Sequence, residues 1–210
     1  MKKVSIFKVG VIFSLLLFLS QNIYAQTFIL NDDGLIDDRA KEKIEQIGAE
    51  VNSKLGVNIY VYVKSTLGLN ADIKTREKIE FIKSYENSII QKLNSPYVLL
   101  TIFVEDTHVN ILSSDDIKSV IDKNDILNGY VVPLLASKDK NTLFSKVSAS
   151  ALNGYSAIAD SLSKAKNITL ENNIGNDGKI SSTLWRVMMY MIVIIGLVAY
   201  TFVVLKSKKR

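Results

Sequence analysis

No cysteine occurs among the 210 residues, and histidine occurs once, as His108. The first absence excludes thiol nucleophiles, thiolate-bound metals, disulfide staples and a lipid attached through cysteine. The second excludes metal sites built on paired histidines and leaves one residue for any histidine relay. There is no phosphate-cradling glycine loop of the Walker type, no dinucleotide fingerprint and no internal repeat. A basic stripe for nucleic acid is missing too, although the net charge is +5. Lys2, Lys3, Lys8, Arg186, Lys206, Lys208, Lys209 and Arg210 stand at the two ends, and without these eight the net charge is −3. The remaining charges are interspersed in sign, as on an ordinary solvated surface.

What is present begins with the ends. Residues 187–205 (VMMYMIVIIGLVAYTFVVL) form a run of 19 without a charge. At about 1.5 Å per residue such a helix is about 28 Å long, close to the ~30 Å hydrocarbon core of a bilayer. Trp185 and Arg186 flank it on one side, and four basic residues follow on the other. The pattern predicts a transmembrane helix over 184–205, a basic cytoplasmic tail over 206–210 and everything earlier outside the cytoplasm. At the N-terminus, Lys2, Lys3 and Lys8 precede an apolar stretch over 9–19, and Ala25 offers a small residue for cleavage. That is a secretory signal peptide over 1–25, with an uncleaved anchor as the competing reading. The chain is therefore expected in the cytoplasmic membrane of a bacterium, single-pass, with its main domain periplasmic or otherwise extracytoplasmic. The lipid bilayer is its first expected partner.

Between the ends lie about 140 residues, enough for one domain with one core, over 26–165. Ala40, Ile44, Ile47, Val51 and Leu55 recur at helical spacing behind a cap at Asp37 or Asp38, and Gly56 is placed to stop that helix. Val57, Ile59, Val61 and Val63 alternate with polar and aromatic residues, as in a strand. A second helix starts from Asp72, its stripe marked by Ile79, Ile82, Ile89 and Leu93, with Glu and Lys assigned to the outer face. Residues 98–104 (VLLTIFV) read as a central strand covered on both faces, and 108–112 as its hairpin return. Asp115 and Asp116 start a short helix, and Phe144, Val147, Ala151, Tyr155, Ile158 and Leu162 mark the clearest amphipathic helix. Residues 166–183 turn polar and read as a flexible linker of about 20–25 Å root-mean-square span. The order predicts an α/β fold: a three-layer α/β/α sandwich around a small mixed sheet, plus the one C-terminal transmembrane helix.

If the first two strands are parallel, three segments meet at one rim: Asp32 and Asp33, Ser65 and Thr66, and Glu105 and Asp106. Ligands of open α/β sheets favour that rim. Asp32, Asp33, Glu105 and Asp106 are the candidate ligands of a hard cation, Ca²⁺ or Mg²⁺, which takes several oxygen donors. The competing and favoured reading of Asp32 and Asp33 is an acidic turn before a capped helix. His108 reads as an ordinary strand residue, and Tyr60 and Tyr62 as residues beneath a helix.

The order of pieces over about 28–163 resembles the TPM domain family, exported α/β/α modules often followed by a membrane helix. Leu30-Asn31-Asp32-Asp33-Gly34-Leu35-Ile36 is similar to that family's opening, and Leu55-Gly56-Val57 to its step before the first strand. The stretch 126–135 with Pro133, and Ala151-Leu152-Asn153-Gly154-Tyr155-Ser156-Ala157-Ile158, resemble its later segments. The resemblance implies divalent-metal binding, acid phosphatase activity in some members, and assembly or maintenance of membrane complexes in others. Two motifs depart from it. Ser95-Pro96-Tyr97 stands where the family has Asp-Asn-Gly, and Ser113-Ser114-Asp115 where it has Gly-x-Gly. A site built on those motifs would have lost part of itself here. The expectation is a non-catalytic binding or assembly module for membrane or envelope proteins, with a divalent-metal-dependent acid phosphatase as the alternative.

Overall fold

A computed structural model describes residues 27–70, 72–174, 190, 191, 194 and 195. The chain folds as a mixed α/β domain on a four-stranded sheet ordered β1-β2-β3-β4. The strands are β1 (Ile29–Asn31), β2 (Asn58–Lys64), β3 (Tyr97–Phe103) and β4 (His108–Ser113). The first three run parallel and β4 returns antiparallel, with Phe103 opposite His108 at the hairpin. The helices are α1 (Asp38–Leu55), α2 (Thr75–Ile90), α3 (Lys123–Ile126), α4 (Val132–Leu135) and α5 (Leu143–Lys166). A π-helical turn, Leu127–Val131, joins α3 to α4.

The expected caps form. Asp37 accepts from the Ala40 amide at the start of α1, and Gly56 ends it at φ 67°, a conformation that costs glycine nothing. Helices α1 and α5 lie together over one face of the sheet. Ile44, Ile47, Val51, Val147, Ala151 and Ile158 are buried there against Val61, Leu100 and Ile102. Tyr155 crosses this core, and its hydroxyl donates to the Ile59 carbonyl at 2.9 Å. Gly48 permits the close approach: a Cβ there would lie 2.4 Å from Phe28 Cγ and from Tyr155 Oη. Strand residues alternate in facing, so Tyr62, Thr101, Phe103, His108 and Asn110 look the other way, toward α2. The Tyr62 and Tyr85 hydroxyls meet at 2.6 Å, which places Tyr62 beneath α2 as its alternation implied.

The first part of the stretch read as a linker over 166–183 is not a free coil, and residues 175–183 lie outside the described residues. Lys166 closes α5, and residues 167–174 fold back over α1 and α5 as an ordered strap. Glu50, buried on α1, accepts from the Glu171 and Asn172 amides at 2.7 Å each and pairs with Lys54 at 2.8 Å. Asn173 is held by Ser156 and Asp160 of α5. Composition suggested a free coil because the strap has few apolar side chains. Its backbone amides find a buried carboxylate instead, an equally good anchor.

Burial pushes the Glu50 carboxyl up, but Lys54 and the two strap amides outweigh it and lower its pKa to about 2. The strap's contribution is therefore full above the ordinary glutamate range and lost as pH falls toward 2. In Glu50→Gln, exchange at the Glu171 and Asn172 amides, relative to intrinsic rates, should speed up by about tenfold or more at neutral pH. Unchanged protection at both amides would remove Glu50 as the anchor.

The expected signal over 1–25, the tail over 206–210 and nearly all of 184–205 lie outside the described residues. Tyr190, Met191, Ile194 and Ile195 are helical and exposed. Among the described residues no helix is long and apolar enough to cross a membrane.

Candidate functional site

The rim forms as the topology required. Glu105 donates its amide to the Ser65 carbonyl at 2.9 Å, and Asp33 Oδ2 accepts from the Ser65 amide at 2.9 Å. Asp106 Oδ2 accepts from the Leu67 amide at 2.8 Å. The four candidate ligands thus share one edge of the sheet, but Asp32, Asp33 and Asp106 each turn to a different partner, and Glu105 takes part through its backbone. Asp32 pairs with Lys41 at 2.6 Å and accepts from the Gly34 amide. Asp33 also takes the Asn31 side-chain amide at 2.9 Å; that bond, then the Ser65 amide, holds its carboxyl below the usual range. Asp106 is buried and Glu105 is exposed. Among the described residues no group of three or more histidine or acidic side chains could hold a metal ion. Asp115 opens a short 3₁₀ turn, as a helix start should.

A second constellation lies beneath α2. Glu86 is 2 % exposed, its two oxygens fully engaged. Oε1 accepts from Thr101 Oγ1 at 2.7 Å and meets His108 Nε2 at 2.9 Å, and Oε2 accepts from Asn110 Nδ2 at 2.9 Å. Burial acts to raise the Glu86 carboxyl, but His108, Thr101 and Asn110 together bring it below the usual glutamate value. The sequence reading placed Glu86 with the outer polar face of its helix and His108 among plain strand residues. The first placement is corrected: Glu86 is buried, while His108 is a residue of β4 whose ring meets it. Glu86 stands four residues after Ile82 and three before Ile89, on the buried stripe itself. An acid at a stripe position was the available signal, and it calls for a polar partner on the sheet.

An aromatic ladder runs beside this carboxylate. His108 stacks on Phe103 at 5.5 Å between centroids, Phe103 meets Tyr85 edge-on at 5.8 Å, and Phe81 stacks on Tyr85 at 6.5 Å. Phe81 is 44 % exposed and presents the outer end of the ladder to solvent. Near the hairpin an apolar cavity of about 280 Å³ is lined by Ile102, Val104, Val109, Val132, Leu135 and Leu143.

No family model matches the chain, and no curated protein matches it. Among solved structures, the N-terminal domain of a protein from P. gingivalis, determined by solution NMR, is similar at a TM-score of 0.52 and 12 % identity. The match covers 70 % of this chain and 88 % of that one. The likeness is one of fold: a mixed α/β domain around a short mixed sheet.

Proposed function

We propose that this protein is a membrane-tethered, TPM-like three-layer α/β/α domain that acts outside the cytoplasm by binding membrane or envelope proteins. The aromatic ladder carries this reading. Phe81 is an exposed ring braced by Tyr85, which is itself fixed by Tyr62 and Phe103. Rigid aromatic anchors of this kind contribute disproportionately to protein interfaces, because little side-chain entropy remains to be lost. A C-terminal membrane helix would confine the domain to the bilayer's vicinity and raise its effective concentration for such partners. The rim carboxylates support the same reading, since Asp33 and Asp106 are spent on joining loops and Asp32 on pairing with Lys41 of α1.

A photo-crosslinking residue in place of Phe81, in the full chain expressed in cells, is expected to give one or a few discrete adducts in the membrane fraction. The same residue in place of the exposed Lys83 should give far weaker ones. A uniform smear from both positions would overturn the reading. So would divalent-metal-dependent phosphomonoester hydrolysis that is abolished in Asp32→Ala.

A further inference from the structure

Glu86 holds a hydroxyl and a carboxamide side by side. Thr101 of β3 and Asn110 of β4 stand directly opposite each other in the antiparallel ladder. Both face α2, and side chains paired in this way lie about 4.5–5.5 Å apart at Cβ. Thr101 Oγ1 donates to Glu86 Oε1 at 2.7 Å, and Asn110 Nδ2 donates to Oε2 at 2.9 Å, so one carboxylate bridges the two groups. Thr101 Oγ1 also lies 3.4 Å from the Asn110 carbonyl oxygen. The side-chain oxygen of Asn110 accepts in turn from the Ile111 amide at 2.9 Å.

A hydroxyl becomes nucleophilic when an adjacent base takes its proton as it attacks. Glu86 is placed to be that base. Burial acts to raise its carboxyl, but His108, Thr101 and Asn110 outweigh burial, and the group is ionised at neutral pH. An ionised carboxylate has no proton to give, so His108 meets Oε1 through Nε2–H and holds it in place. The Ile111 amide points at the oxygen on which charge develops when the Asn110 carboxamide is attacked. Thr101 is fully buried, so bulk water does not compete with its hydroxyl for the amide. Neighbours fixed this closely react without the entropy cost of an encounter.

We propose that Thr101 and Asn110 join in an ester bond that links β3 to β4. Thr101 Oγ1 forms a bond to Asn110 Cγ, and the Cγ–Nδ2 bond breaks. Glu86 takes the hydroxyl proton and passes it to the departing nitrogen, which leaves as ammonia. The step is redox-neutral and needs no further reactant. Glu86 stays paired with His108 afterwards, and the stability assigned to its full set of hydrogen bonds is that of the chain before the reaction. In a chain without cysteine, the ester supplies the covalent staple that a disulfide cannot. It is independent of where the domain acts and of what Phe81 meets.

Trypsin cuts the full chain after Lys92 and Lys118 and leaves both partners in one peptide, residues 93–118. From protein kept folded at neutral pH, this peptide should be lighter by the mass of one ammonia. Cleavage after Glu105 should then leave its two halves joined. Hydroxylamine, which opens esters, should separate them and leave a hydroxamate at position 110. Thr101→Ser keeps a hydroxyl and should form the same link, whereas Thr101→Val and Glu86→Gln should give a peptide that has lost nothing. An unchanged mass in the parent peptide would overturn the proposal. So would a lighter peptide that separates after Glu105, because that product is a succinimide at an asparagine. A link formed equally in Glu86→Gln would overturn it as well, since the step needs that base.

Discussion

Replacing Tyr155 with alanine is expected to lower the unfolding free energy of the domain by about 3–5 kcal/mol, read from urea denaturation. Among the described residues Tyr155 is the largest fully buried side chain, and it stands where α1, α5 and the sheet meet. Its loss empties a space that the backbone cannot close, because Gly48 has already brought α1 against Phe28 and the tyrosine hydroxyl. Tyr155→Phe separates the two parts of the effect. It keeps the ring but removes the donor to the Ile59 carbonyl, and should cost about 1–2 kcal/mol. Burial raises the Tyr155 phenol well above its ordinary value, so it stays a neutral donor across the accessible pH range. A Tyr155→Ala protein within 1 kcal/mol of the parent would mean that α1 and α5 are not joined through this residue.

The same core explains why the sequence spoke clearly about this half of the fold. Ala40, Ile44, Ile47, Val51 and Leu55 are all buried, as are Val147, Ala151, Tyr155, Ile158 and Leu162. Here the contact is mainly apolar, so hydrophobic period and burial coincide except at Phe144, which opens the α5 stripe and is exposed. The meeting of the three rim loops was also legible, because it follows from parallel strands and short connections. What their carboxylates do was not legible. An acidic turn reads alike whether it holds a cation or caps amides, and here Asp33 and Asp106 cap Ser65 and Leu67. The strap and the second site escaped for a related reason. Glu50 and Glu86 are buried acids with partners far along the chain, 121 and 122 residues away for the strap amides on Glu50 and 15 to 24 for Glu86. Period-based reading assigns such acids to the surface, since nothing local shows what will satisfy them. β1 was missed too: three residues at an edge are too few to show an alternation.

Glu86→Ala should destabilise the domain by about 3–5 kcal/mol, because it strands Thr101, His108 and Asn110 without their common acceptor. Thr101 is fully buried, so water cannot replace the lost bond without opening α2 from the sheet. Glu86→Gln keeps the shape and one acceptor and should cost less, about 1–3 kcal/mol. The two variants also differ in acid. The Glu86 carboxyl titrates below its ordinary value, so its contribution is full above the unfolded glutamate range and lost as pH falls through the lowered folded value. Part of the parent's acid destabilisation should therefore vanish in Glu86→Gln, whose amide does not titrate there. A double-mutant cycle with His108→Ala isolates the imidazole's share and should give a coupling of about 0.5–3 kcal/mol. The result bears on function as well as stability, because α2 buries little besides Ile82 and Glu86 and it carries Tyr85 and Phe81. Loosening α2 at Glu86 should cost Phe81 its brace and weaken the crosslinks made from that position.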